Sequence, residues 1–116
     1  MRQDKLTTKL QEALGEAQSL ALAHDNQFIE PVHLVSALLA DTEGSARSLL
    51  ERSGVNVQQL SRELKDAIER LPKVSGTGGE VQISRDSLNL LNLTEKEAMK
   101  RNDAFISTEM MLLALV

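Results

Sequence analysis

The only glycine cluster, SGTGGE at 75–80, is the first place in the sequence where chemistry could reside. A phosphate-cradling loop offers backbone amides to an anion, and it also needs a Lys followed by Ser or Thr at the start of a helix. Neither follows here, so the cluster reads as a surface connector and no nucleotide site is assigned to it. His24 and His33 flank a polar turn, but no Cys and no carboxylate spacing completes a metal set with them. They read as solvated or capping side chains. Serines and acids are plentiful, yet a hydrolytic triad requires a His held by a third group, and no nucleophile elbow is visible. The sequence therefore assigns no catalytic residue, no metal and no cofactor to the chain.

Composition narrows the class further. At 116 residues the chain has the length of one domain, which buries roughly two thirds of its unfolded surface. Its 41% hydrophobic fraction is mostly Leu and Ala, and only Phe28 and Phe105 are aromatic, a balance that favours helices over strands. The absence of Cys removes disulfides and is compatible with a reducing cytosol. No apolar run approaches the roughly 20 residues of a bilayer span, and the first residues lack the apolar core of a secretory signal. A net charge of -4 with intermixed signs leaves no basic stripe for phosphates. The expectation is a cytoplasmic protein with neither membrane nor nucleic acid as partner.

The chain carries an internal repeat. FIEPVHLVSALL from Phe28 aligns without gaps on FISTEMMLLALV from Phe105, an offset of 105 − 28 = 77. The same offset pairs Leu14 with Leu91, Ala21 with Ala98, and Thr7 with Ser84, both good helix caps. Apolar spacing predicts a helix from about Thr8 to Ala23, capped by Thr7 or by Thr8 in a capping box with Gln11. A second helix starts at Pro31, and a short one covers Ser45 to Arg52 and stops at Gly54 in a left-handed cap. Asn56 caps a fourth that runs through Leu71 to Pro72. After a connector at 72–83, the second unit restarts at Ser84, turns through 102–104 and enters a helix after Ser107. The expected fold is all-α, a single domain over 1–116. It is a pseudo-twofold repeat of two four-helix units, about 1–71 and 84–116, the second truncated at Val116. Adding the offset to 40–71 puts the missing counterparts at roughly 117–148. Both phenylalanines are expected to be largely buried.

Comparison of the units exposes a surplus of apolar residues in the second: Gln11 becomes Leu88, Glu16 becomes Leu93, His33 becomes Met110 and Ser36 becomes Leu113. Apolar surface beyond the shared core pattern marks either a binding groove or packing between elements, and Met suits adaptable grooves. Polar replacement of Leu93 or Met110 is then expected to spare the core, because the first unit carries Glu16 and His33 at those positions.

The segments MRQDKLTTKLQEALGEAQSLALAHDNQFIEPVHLVSALL, RLPKVSGTGGEVQIS and KRNDAFISTEMMLLAL resemble the Clp amino-terminal repeat family, in its bacterial ClpB disaggregase branch, over essentially the whole chain. The connector sets this branch apart from the ClpA and ClpC branches. The resemblance implies two four-helix units on a flexible linker, at the entrance of a homohexameric ring that threads aggregated proteins. ATP is thereby implied for ATPase modules outside this chain, and the DnaK chaperone system for the whole protein. It implies substrate-binding roles for Thr7, Asp103 and Glu109, beside a hydrophobic groove of Leu91, Leu93 and Met110. The Thr-Glu-His motif by which ClpC relatives read phosphoarginine is incomplete in both units, Pro31-Val32-His33 and Thr108-Glu109-Met110. The function expected is capture of unfolded or aggregated polypeptide; the alternative is a pore-gating or adaptor-docking domain.

Overall fold

Two crossed backbone pairings hold the structure together, and they obey the offset of 77. The computed structural model describes residues 6–41, 44–74, 81–101 and 105–115. In it the amide of Thr7 donates to the carbonyl of Ile106 at 2.9 Å, and the amide of Ser84 donates to the carbonyl of Ile29 at 3.2 Å. Each residue of one bond stands 77 positions from a residue of the other. The helix-starting segment of each unit therefore pairs with the extended segment of the other unit, not with its own.

The first unit contains α1 (Thr8–Ala23), β1 (Phe28–Ile29), α2 (Pro31–Ala40), α3 (Ser45–Arg52) and α4 (Val57–Glu69). The second contains β2 (Gln82–Ile83), α5 (Arg85–Lys100) and α6 (Thr108–Leu115). Thr7 caps α1 by accepting from the Leu10 amide, while Gln11 donates from its side chain to the Leu6 carbonyl instead of forming a capping box. Ser84 caps α5 in the same way, from the Ser87 amide. Gly54, at φ 89°, reverses the chain between α3 and α4, a conformation in which a Cβ is disfavoured. Asn56 caps α4, which ends at Glu69, two residues before Leu71.

Mainly helical as expected, the fold adds one feature that helix periodicity could not announce. β1 and β2 pair in parallel, Phe28 with Gln82 and Ile29 with Ile83, so the connector closes as a strand and not as loop alone. The matching position at the other crossing is a bridge between Leu6 and Ile106. Extended backbone sends alternate side chains to opposite faces. Ile29 and Ile106 turn inward onto the core, and the phenylalanines before them turn out. Phe28 is 37% exposed and Phe105 59%, so the expected burial of both is incorrect.

One core serves both units. Leu10, Leu34 and Leu38 of the first pack in the same cluster as Leu90, Ile106 and Met111 of the second. Alanines at 13, 17 and 21, buried on one stripe of α1, let that helix lie close to its neighbours. Ser87 occupies the counterpart of Leu10 and is completely buried; its hydroxyl is satisfied by donating to the Ile29 carbonyl at 2.7 Å.

The two crossings give a contrast that separates inward from outward side chains. Ile106→Ala, which empties a site 3% exposed, is expected to cost about 2 to 5 kcal/mol in urea unfolding. Phe105→Ala is expected to cost less than about 1 kcal/mol, as surface replacements usually do. Equal losses would mean that the aromatic ring, and not the isoleucine, anchors the segment.

Candidate functional site

The Thr7–Ile106 bond brings the cap of α1 against the start of α6, so Thr7 adjoins the run Ser107 to Met110. Thr7 spends its side chain on the cap and its amide on the crossing, and both roles are structural. Glu109, in the first turn of α6, accepts from the hydroxyl of Ser45 at the start of α3. That bond holds its carboxyl below the usual Glu range; burial opposes the shift, and its own backbone amide and the hydroxyls of Ser107 and Thr108 reinforce it. Glu109 is thus an ionised side chain that ties the second unit to the first. Ser45 gave no signal in the sequence beyond its place near a helix start.

The apolar residues of the expected groove do not form one surface. Leu91 and Leu93 are two positions apart on α5, which places them on opposite sides of a helix. Leu91 is 7% exposed and belongs to the core, whereas Leu93 is 49% exposed. Met110 is half-buried and packs against the core cluster. Asp103 lies outside the described residues. Leu88 and Leu113, the other two surplus leucines, are exposed with Leu93. Three of the four positions picked out by comparing the units are therefore open apolar surface.

The fourth comparison rests on a different environment from the one expected. His33, the counterpart of Met110, is fully buried. Its Nδ1 lies 2.8 Å from the Glu30 amide, which can only donate, so Nδ1 carries no proton. Nε2 must then donate to Asn26 Oδ1, 2.9 Å away, while Asn26 Nδ2 donates to the Pro72 carbonyl. His33 is a neutral capping residue that fastens the turn before β1 to the end of the first unit. Met110 can make none of these bonds, and the Ser107 hydroxyl accepts from its amide instead. A polar side chain at position 110 is consequently not shown to be harmless by His33, contrary to expectation.

Among the described residues no group of three or more His, Asp or Glu side chains could hold a metal ion, and no helix is long and apolar enough to cross a membrane. What remains is a domain with three exposed leucines on its second unit, Leu88 and Leu93 on α5 and Leu113 on α6. The family model described as Clp repeat (R) N-terminal domain matches residues 5–116. The chain belongs to that family. Over all 116 residues this Clp N-domain is 51% identical to the chaperone protein ClpB of Vibrio cholerae serotype O1, and it spans 14% of that protein's length. Its fold is similar to that of the Hsp104 N-terminal domain from Candida albicans, with a TM-score of 0.87 at 19% identity, over 96% of this chain and 73% of that one. It is also similar to a ClpV N-domain solved in complex with a VipB peptide, with a TM-score of 0.83 at 20% identity, over 96% of this chain and 67% of that one.

The His33 network of this Clp N-domain makes stability depend on pH in a defined direction. Desolvation lowers the His33 pKa, with Glu30 opposing and His24 adding to the shift, so the unfolded chain takes up the proton more readily than the folded one. Stability is complete above the ordinary value of about 6.5 and falls as pH drops from there towards the folded value, by up to about 1.4 kcal/mol per pH unit. Urea midpoints between about pH 7.5 and 5.5 are expected to fall for the native chain, and this slope is expected to vanish in His33→Gln. An equal slope in both would assign the effect to other groups.

Proposed function

We propose that this Clp N-domain captures exposed apolar segments of unfolded or aggregated polypeptide and passes them to an ATP-driven homohexameric ring of which it forms the entrance. In that reading the whole protein is a cytoplasmic disaggregase acting with the DnaK system, and ATP is used by modules outside this chain. The observation that carries it is the surplus of exposed leucine on the second unit. Leu88, Leu93 and Leu113 are exposed at positions where the first unit has Gln11, Glu16 and Ser36. The fold leaves those positions outside the shared core, so leucine there adds binding surface without adding stability. In the same reading Thr7, Asp103 and Glu109 contribute the polar contacts that the family resemblance implies, and half-buried Met110 an adaptable apolar one. Weak capture suits a substrate that must be released into the ring.

Adaptor docking is the second reading, and the peptide complex of the ClpV N-domain favours it, since that protein of the same fold binds a defined peptide. A gating role over the ring's pore belongs with it. The two readings differ in selectivity: capture tolerates many apolar sequences, docking only one.

Leu93→Glu separates binding from folding. Its side chain is 49% exposed, so the thermal midpoint is expected to move little, corresponding to less than about 1 kcal/mol. Affinity for unfolded casein is expected to fall roughly tenfold or more, the value of one apolar side chain taken out of a contact. Native binding by the folded variant would place the capture site elsewhere, and early melting would make Leu93 a core residue.

A further inference from the structure

Exposed Leu93 of the second unit has Glu16 as its counterpart, and the surroundings of Glu16 on the first unit are chemically different. There α1, the C-terminal end of α2 and the start of α3 enclose an open cleft of about 610 Å³, within the range of natural ligand sites. Its floor is Ala13, Ala37, Leu38 and Ala46, all buried, so the seam between the helices is smooth and apolar. Its rim is acidic. Glu12 and Glu16 stand one turn apart on the exposed side of α1, and Asp41 faces them from the end of α2.

Asp41 is fixed in position. Lys9 reaches it at 3.0 Å, and it lies so close to Gly44 that a Cβ there would meet its Oδ2 at 3.0 Å. Lys9 is the cation on the rim, and its charge balances that of Asp41. Glu12 and Glu16 form no ion pair among the described residues, which leaves two uncompensated negative charges above an apolar floor. At the offset of 77, Glu12 corresponds to Asn89 and Glu16 to the exposed Leu93. The acidic rim is therefore a property of the first unit and not of the fold.

We propose that this cleft is a second polypeptide-binding groove, selective for segments in which Lys or Arg flanks small apolar side chains. Small side chains settle on the alanine floor, where bulkier ones meet the walls of α1 and α2. Flanking cations reach Glu12 and Glu16, whose charge complementarity supplies selectivity and speeds encounter more than it adds affinity. The groove is separate from the exposed leucines, since none of Leu88, Leu93 and Leu113 lines it, although its Ser45 and Thr108 touch Glu109 of the proposed capture site.

The test uses the 116-residue chain and two fluorescein-labelled peptides, one of Lys, Ala and Leu and the other with Glu replacing Lys, followed by anisotropy. The Lys peptide is expected to bind and to weaken at about 0.5 M salt, where screening is strong, and the Glu peptide is expected not to bind. The double variant Glu12→Gln, Glu16→Gln is expected to lower affinity for the Lys peptide by about three- to tenfold at low salt and to flatten the salt dependence. Leu93→Asn, which addresses the other site, is expected to leave this peptide's affinity unchanged. The proposal is overturned by no binding of the Lys peptide, by native affinity in the double variant, or by an equal loss in Leu93→Asn. Loss of casein binding in the Leu93 variants without change here keeps the two sites distinct.

Discussion

Backbone amides at a helix cap usually face water, yet in this chain the amides of Thr7 and Ser84 are committed to carbonyls of the opposite unit. A buried amide without a partner costs a substantial part of a hydrogen bond's free energy, so each cap is stable only when the other unit is in place. That dependence explains the single core. Leu10 and Met111 are completely enclosed because α1 and α6 arrive from different units and are held at a common end. It also explains why the site residues near Thr7 and Glu109 come together although they are a hundred residues apart in sequence.

Duplication supplied the frame, and divergence then assigned different work to its halves. The first unit spends polar chemistry on rigidity, through His33, Asn26 and the Pro72 carbonyl. In the second, methionine replaces that histidine, and leucines stand where the first unit has Gln11, Glu16 and Ser36. Leucine at three exposed positions that the first unit leaves polar is surplus to the shared core pattern. The acidic cleft of the first unit is the complementary outcome, with glutamates where the second has Asn89 and Leu93. One scaffold thereby carries exposed leucines on one unit and an acidic cleft on the other.

Much of this was legible in the sequence. Helix caps at Thr7, Asn56 and Ser84, the left-handed Gly54, and the proline at the start of α2 all follow from local chemistry, and local chemistry decides such positions. The repeat was legible because it preserves spacing. The strands were not, since two-residue pairings leave no periodicity, although carrying the offset one step back from Thr7 and Ser84 links Leu6 to Ile83, the two residues that pair with Ile106 and Ile29. The phenylalanines, expected to be buried, are exposed because alternation along the extended segment turns them outward and the isoleucines after them inward. Leu91 and Leu93 were grouped by resemblance, and helix geometry separates them.

The crossed pairing is the central claim, and native-state amide hydrogen exchange tests it most directly. If each cap depends on the opposite unit, the Thr7 and Ser84 amides exchange only through an opening that parts the two units. Their opening free energies should then match each other and approach those of the amides around Leu34 and Met111 in the core. Rapid exchange at either cap while the core stays protected would show that the units hold together without the crossing, and would contradict this account.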